Sequence, residues 1–222
     1  MLDPGKWLKR GDPSKSSPRE IKARLRKLLL ADRTHDRDGA AHECEGTLDQ
    51  AEITQQFTDR LIDLVGKAAK PGMVIATYQP MSSEPDVTGF TDYLLAKGVV
   101  VVIPDLSVPP AGERVPFRLI KGEMLPEGLT LEQFLENHEI YAIIVPSLAL
   151  DQDGVRLGRS AGWYDRVLRR FTTGDSGYSR QPTLIGVAFE DEFSAGDSLP
   201  MEEHDQQMDY VVTEDRTLAV PH

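Results

Sequence analysis

The chain has 222 residues, 40% of them apolar and 27% charged, with a formal charge of -11 at pH 7. That length and apolar share support one substantial core or two small ones, and the negative balance argues against a general nucleic-acid binder, whose phosphates it would repel. No apolar run approaches the ~20 residues that span a bilayer, the N-terminal stretch lacks a signal peptide's hydrophobic region, and the single cysteine, Cys44, excludes an internal disulfide, so a cytoplasmic protein off the membrane is expected.

Residues 1–16 are rich in Pro, Gly, Ser and Lys without hydrophobic periodicity and are expected to form a flexible tail, with one domain over 17–222. Ser17-Pro18-Arg19-Glu20 has the chemistry of a capping box with proline at the first helical position. A helix follows, with Ile21, Leu25, Leu28 and Leu29 as its apolar stripe and Lys22 and Arg26 on a neighbouring face. Those two cations can close on one anion or simply face solvent, and their spacing alone favours solvent. Thr47-Leu48-Asp49-Gln50 offers a second capping box before the stripe Ile53, Phe57, Leu61, Leu64 and Val65.

Beyond this pair of helices the pattern changes to short apolar runs: 73–77, 99–103, 115–120, 141–145, 184–189 and 210–213. Helical patterns at 88–97 and 131–137 separate some of them. Continuous rather than alternating apolar runs fit strands covered on both faces. The fold expected is α/β, a single open and mostly parallel sheet flanked by helices, with the helical N-terminal region packed on it.

The segment Arg156-Leu157-Gly158-Arg159-Ser160-Ala161-Gly162-Trp163-Tyr164-Asp165 has the chemistry of a phosphate grip. Glycines let backbone N–H groups converge on an anion at a helix start, the arginines add fixed charge, and Asp165 supplies a carboxylate suited to Mg²⁺. The same spacing also fits a tight surface loop joining a strand to a helix, and neither GxxxxGK[ST] nor GxGxxG is present. The five histidines are scattered without metal-ligand spacing.

Several separated segments agree with one family. Lys22-Ala23-Arg24-Leu25-Arg26, Tyr78-Gln79-Pro80-Met81-Ser82-Ser83-Glu84-Pro85-Asp86, Val145-Pro146-Ser147-Leu148-Ala149-Leu150-Asp151, Gly154-Val155-Arg156-Leu157-Gly158-Arg159, Gly162-Trp163-Tyr164-Asp165-Arg166 and Leu199-Pro200-Met201-Glu202-Glu203-His204-Asp205 stand in the family's order. On these the chain resembles 5-formyltetrahydrofolate cyclo-ligase, also called 5,10-methenyltetrahydrofolate synthetase.

The resemblance implies closure of 5-formyltetrahydrofolate to 5,10-methenyltetrahydrofolate with ATP as co-substrate and Mg²⁺, releasing ADP and phosphate. It assigns Lys22, Arg26 and the run Arg156, Leu157, Gly158, Arg159, Ser160, Ala161, Gly162, Trp163 and Tyr164 to ATP. Arg156, Arg159 and Tyr164 are the implied catalytic residues; Glu84, Arg159, Trp163 and Tyr164 face the folate, and Asp165 and Asp205 belong to the metal. The partners implied are the reduced folate and ATP, with no nucleic acid or membrane and a monomeric chain.

This chain departs from the family where members commonly carry a glycine or lysine-containing run in place of Ser160-Ala161, a tyrosine in place of Trp163, and glutamine near Glu192, which receives no role. A folate- or nucleotide-binding paralogue without ring closure, or an ATP-dependent enzyme on another N-acyl substrate, stays open beside the leading reading.

Overall fold

The computed structural model describes residues 17–37, 49–110, 116–120, 125, 128–159, 162–172 and 180–221. Helix α1 (Pro18–Arg37) starts at the expected capping box, Ser17 Oγ accepting from Glu20 N and Glu20 Oε2 from Ser17 N. Helix α2 (Gln50–Leu61) starts two residues later than the Thr47 box: Asp49 is the N-cap and Glu52 completes it. The carboxylate of Asp49 accepts from the N3 amide as a threonine hydroxyl would, and Glu52 reaches back to the cap, so Gln50 becomes the first helical residue.

A seven-stranded sheet follows, in the order β10-β9-β7-β4-β1-β2-β3. It comprises β1 (Val74–Ala76), β2 (Val100–Pro104), β3 (Phe117–Leu119), β4 (Ile140–Pro146), β7 (Thr183–Val187), β9 (Tyr210–Val212) and β10 (Thr217–Ala219). The interior pairings are parallel, and only the outermost strands, β3 and β10, run antiparallel to their neighbours. The expected α/β sheet is therefore present.

Alternate residues of each inner strand face opposite cores. Val74, Ala76, Ile143 and Val145 join Val167, Leu168 and Phe171 of α5 (Trp163–Thr172) and Phe134 of α4 (Leu131–Leu135). Ile75, Ala142 and Ile144 join Phe57 and Leu61 of α2 and Phe90 and Leu94 of α3 (Thr88–Ala96). Burial on both faces explains the unbroken apolar runs.

A second sheet lay outside the sequence expectations. Strands β5 (Ala149–Asp151), β6 (Arg156–Leu157) and β8 (Phe193–Ser194) form it in the order β6-β5-β8. Asp151 caps its hairpin: Oδ1 accepts from the amides of Asp153 and Val155, and Oδ2 from that of Leu199. Burial pushes this carboxyl up, and the three backbone donors act against that shift. Gly154, at φ +73°, makes the turn, and a Cβ there would stand 2.5 Å from the carbonyl oxygen of Met208.

α1 covers this small sheet through Leu25 and Leu29 against Leu148, Leu157 and Leu199. At its far end Arg33, itself buried, donates to both oxygens of buried Glu192 and, through Nη2, to Ser147 O at 2.8 Å. Burial raises the Glu192 carboxyl and the Arg33 contact opposes that rise.

Gly154→Ala should lower unfolding free energy by about 2 kcal/mol or more, from left-handed strain plus the backbone clash, measurable by urea denaturation. Arg33→Leu leaves Glu192 buried without its cation, so the folded-state pKa climbs further above the unfolded value of 4.5. A raised carboxyl pKa gives stability below the unfolded value that is lost as pH rises toward the folded one. The deficit of Arg33→Leu should therefore be small at acidic pH and reach about 3 kcal/mol at pH 8, with Glu192→Gln as a second change flattening the pH dependence.

Candidate active site

The C-terminal ends of β1, β2 and β4, where ligands settle in open α/β sheets, border a cavity of about 1000 Å³. Its opposite wall is the connection from β6 to α5. Strand β6 pairs antiparallel with β5, placing Arg156 opposite Leu150. Side chains alternate along a strand. Leu157 accordingly points into the apolar cluster beneath α1, and Arg156 lines the cavity.

Arg156 is only 5% exposed and carries a charge that requires a partner. Nη2 donates to Asp165 Oδ1 at 2.7 Å, and the guanidinium carbon lies 5.6 Å from the centre of the Tyr164 ring. Its Nη1 passes so close to Gly158 that a Cβ there would stand 2.7 Å away, so a side chain at that point would push the guanidinium from its place. Nε finds no acceptor among the described residues, an omission that ordinarily costs about 1–3 kcal/mol. Gly162, at φ +73°, turns the chain into α5. Asp165 thereby falls in the helix's first turn, where the helix dipole favours a carboxylate.

Arg159 is more exposed and reaches across the cavity, donating through Nη1 to Ser83 Oγ at 2.8 Å and lying 4.0 Å from Glu84 Oε1. Glu84 is buried, and its Oε2 accepts from Met81 N at 3.1 Å. The loop that carries it is tied down by Tyr78, whose hydroxyl donates to Pro85 O at 2.6 Å. Burial pushes both cavity tyrosines up: Tyr78 well above its ordinary range with Glu84 adding to the rise, and Tyr164 likewise, with Arg156 pulling down more than Glu84 pushes up. Each phenol therefore stays protonated at neutral pH. Trp163 packs edge-on to Phe117 and Tyr164, so the aromatic pair opening α5 is part core and part cavity wall.

Of the residues expected from sequence, Glu84, Arg156, Gly158, Arg159, Gly162, Trp163, Tyr164 and Asp165 share this cavity. Lys22, Arg26, Leu157 and Asp205 stand behind it. Arg26 Nε donates to Gly158 O at 2.8 Å, which ties α1 to the β6–α5 connection. Lys22 is buried against Asp205 and lies 3.5 Å from Glu202 Oε1, while Asp205 Oδ2 also accepts from Glu202 N. Ser160 and Ala161 lie outside the described residues, as do Cys44 and the tail 1–16.

Sequence reasoning passed over Tyr78, Arg118 and the Arg33–Glu192 pair. For Arg33 a signal existed: Lys22, Arg26 and Arg33 fall at i, i+4 and i+11 on one helix stripe.

Among the described residues no three His, Cys, Asp or Glu side chains converge as a metal cage. A Mg²⁺–nucleotide complex needs only one or two carboxylates beside phosphate oxygens. Asp165 fits that demand, since Oδ1 is committed to Arg156 and Oδ2 lies beside Gly162 on the cavity wall.

The comparisons with known proteins agree. A family model described as the 5-formyltetrahydrofolate cyclo-ligase family matches residues 18–214. A 5-formyltetrahydrofolate cyclo-ligase of Mycolicibacterium smegmatis is 31% identical over 219 residues, covering 91% of this chain and 98% of that protein. The Mus musculus protein of the same name matches locally, 34% over 89 residues, 40% of this chain and 41% of that one. Among solved structures, the 5,10-methenyltetrahydrofolate synthetase of Mycoplasma pneumoniae superposes with a TM-score of 0.59 at 24% identity, covering 87% of this chain and 98% of the other. The Aquifex aeolicus synthetase gives the same TM-score and identity over 91% and 94%, and both likenesses bear on the fold. With its motifs gathered around one cavity and the family model spanning nearly all of it, the chain belongs to the 5-formyltetrahydrofolate cyclo-ligase family.

Proposed function

We propose that this chain couples ATP cleavage to ring closure, converting 5-formyltetrahydrofolate to 5,10-methenyltetrahydrofolate with release of ADP and phosphate. The observation that carries the reading is one cavity wall on which buried Arg156, held by Asp165, stands beside Arg159, held by Ser83 and Glu84. Fixed positive charge there adjoins a buried carboxylate able to accept from a pterin.

An N-formyl oxygen is a poor leaving group until it is phosphorylated. The formyl oxygen attacks the γ-phosphorus of ATP, an O–P bond forms, and the bond to the bridging oxygen breaks with its electron pair leaving on ADP. N10 then adds to the formyl carbon and loses its proton. The C–O bond breaks, phosphate departs, and the cation is shared between N5 and N10.

Such chemistry asks a protein for positioning and charge stabilisation above all. Arg156 supplies a preorganised guanidinium, because Asp165 and the Tyr164 ring fix it before any ligand arrives. Arg159 touches Ser83 and adjoins Glu84 while sharing the cavity with Arg156, so the transferred phosphoryl group sits between the two arginines. Glu84 accepts from the pterin's N–H groups, and Trp163 and Tyr164 offer ring faces and edges to the folate. Asp165 would hold Mg²⁺, which neutralises charge on the triphosphate. From α1, Arg26 braces Gly158 and adds positive field at the phosphate end, while Lys22, one turn earlier and neutralised by Asp205, fixes the loop at 202–205 against the helix.

Purified protein with 5-formyltetrahydrofolate, ATP and Mg²⁺ should develop the near-ultraviolet absorbance of the methenyl product, and omission of any one component should abolish it. No product from the complete mixture would overturn the reading. Arg156→Lys, which keeps the charge and loses the planar fork, should lower kcat by about 10²-fold. Glu84→Gln should raise KM for the folate and leave KM for ATP unchanged, as steady-state kinetics with each substrate varied would show.

A further inference from the structure

Positive charge meets the cavity at two ends. Arg156 and Arg159 form one, on the connection from β6 to α5. Arg118 forms the other, on edge strand β3, paired in register with Ile103 of β2, which also lines the cavity. In the sheet order β4-β1-β2-β3, three strand spacings separate β3 from β4, the strand leading to the arginine grip, a span of roughly 14 Å.

Arg118 is exposed, and among the described residues its one hydrogen bond is a long 3.5 Å contact from Nη1 to Leu119 O. A guanidinium carries five donors, so most of this one is uncommitted. Asp105 shares the wall, but its Oδ1 is already turned to Ser107, accepting from the amide at 3.0 Å and the hydroxyl at 2.6 Å. Met81 and Leu106 add exposed apolar surface to the same cavity.

A folate is elongated. Its pterin lies at one end, a benzoyl ring in the middle, and a glutamate with two carboxylates at the other. If N5 and its formyl group sit near Arg159 and Glu84, as the ring-closing reading on which this inference rests requires, the glutamate must extend away from the grip.

We propose that Arg118 is the specificity-determining residue that binds the glutamate carboxylates of the folate. The cavity then recognises its substrate at both ends, with Met81 and Leu106 beside the benzoyl ring. A planar guanidinium suits a carboxylate through two parallel hydrogen bonds. Because Arg118 is exposed, the contact is modest in energy and weakens with salt.

Calorimetric titration of the full chain tests this with two ligands, 5-formyltetrahydrofolate and the methylamide of 5-formyltetrahydropteroate, a pteroate derivative that keeps the benzoyl amide and has no carboxylate. The unaltered protein should bind the folate about 3- to 10-fold more tightly than the methylamide at low salt. Arg118→Gln should bind the two alike, with methylamide affinity unchanged, which also shows that the variant is folded. Arg118→Gln retaining the full preference for the folate would overturn the assignment and leave the ring-closing reading standing. An unaltered protein that binds neither compound would overturn that reading and this one with it.

Discussion

The site is organised by the burial of one charge. A guanidinium taken out of water has to be met by a carboxylate and by polar or aromatic surface, or the fold bears a cost of several kcal/mol. Arg156 meets Asp165 and the face of Tyr164, and each of these depends on local backbone. Gly158 leaves room for the guanidinium, Gly162 turns the chain so that Asp165 lands in the first turn of α5, and the Asp151-capped hairpin holds β6 in place. Removing any of these would disturb the others, because they share a single charged group.

That constraint reaches the N-terminal helix as well. Arg26 binds the carbonyl of Gly158, Lys22 is buried against Asp205, and Arg33 is buried against Glu192 and Ser147 O. One basic stripe of α1 thus ties together the β6–α5 connection, the loop at 202–205 and the segments that follow β4 and β7. The apolar stripe beside it covers the small sheet. Charge serves here to fix register between elements far apart in the chain, while Leu25 and Leu29 remove apolar surface from water against the small sheet.

Much of the large sheet was legible because its strands are buried on both faces and read as unbroken apolar runs; Ile140–Pro146 is the clearest case. Strands β5, β6 and β8 were not, since two or three residues that include Asp151, Arg156 and Ser194 have no period to detect and owe their conformation to tertiary pairing. Glu192 stood in the acidic run Glu190-Asp191-Glu192 and received no role; it is buried against Arg33, 159 residues away. Arg159 and Asp165 stood out by chemistry within the glycine- and arginine-containing run 156–165, Glu84 was reached only through a family motif, and nothing local marked Arg118, whose position at the cavity follows from being on the outermost strand beside β2. The α2 cap shows the finer limit. Thr47 and Asp49 both have cap chemistry, and Glu52, three residues after Asp49, decides between them.

The central claim is that the formyl oxygen is phosphorylated within the arginine grip, and the most direct measurement follows that oxygen. With 5-formyltetrahydrofolate labelled by ¹⁸O in the formyl group, ATP and Mg²⁺, the account predicts that the label leaves in inorganic phosphate, one atom for each methenyl product formed. Product formation with unlabelled phosphate would contradict it, since ring closure would then proceed without phosphoryl transfer to that oxygen.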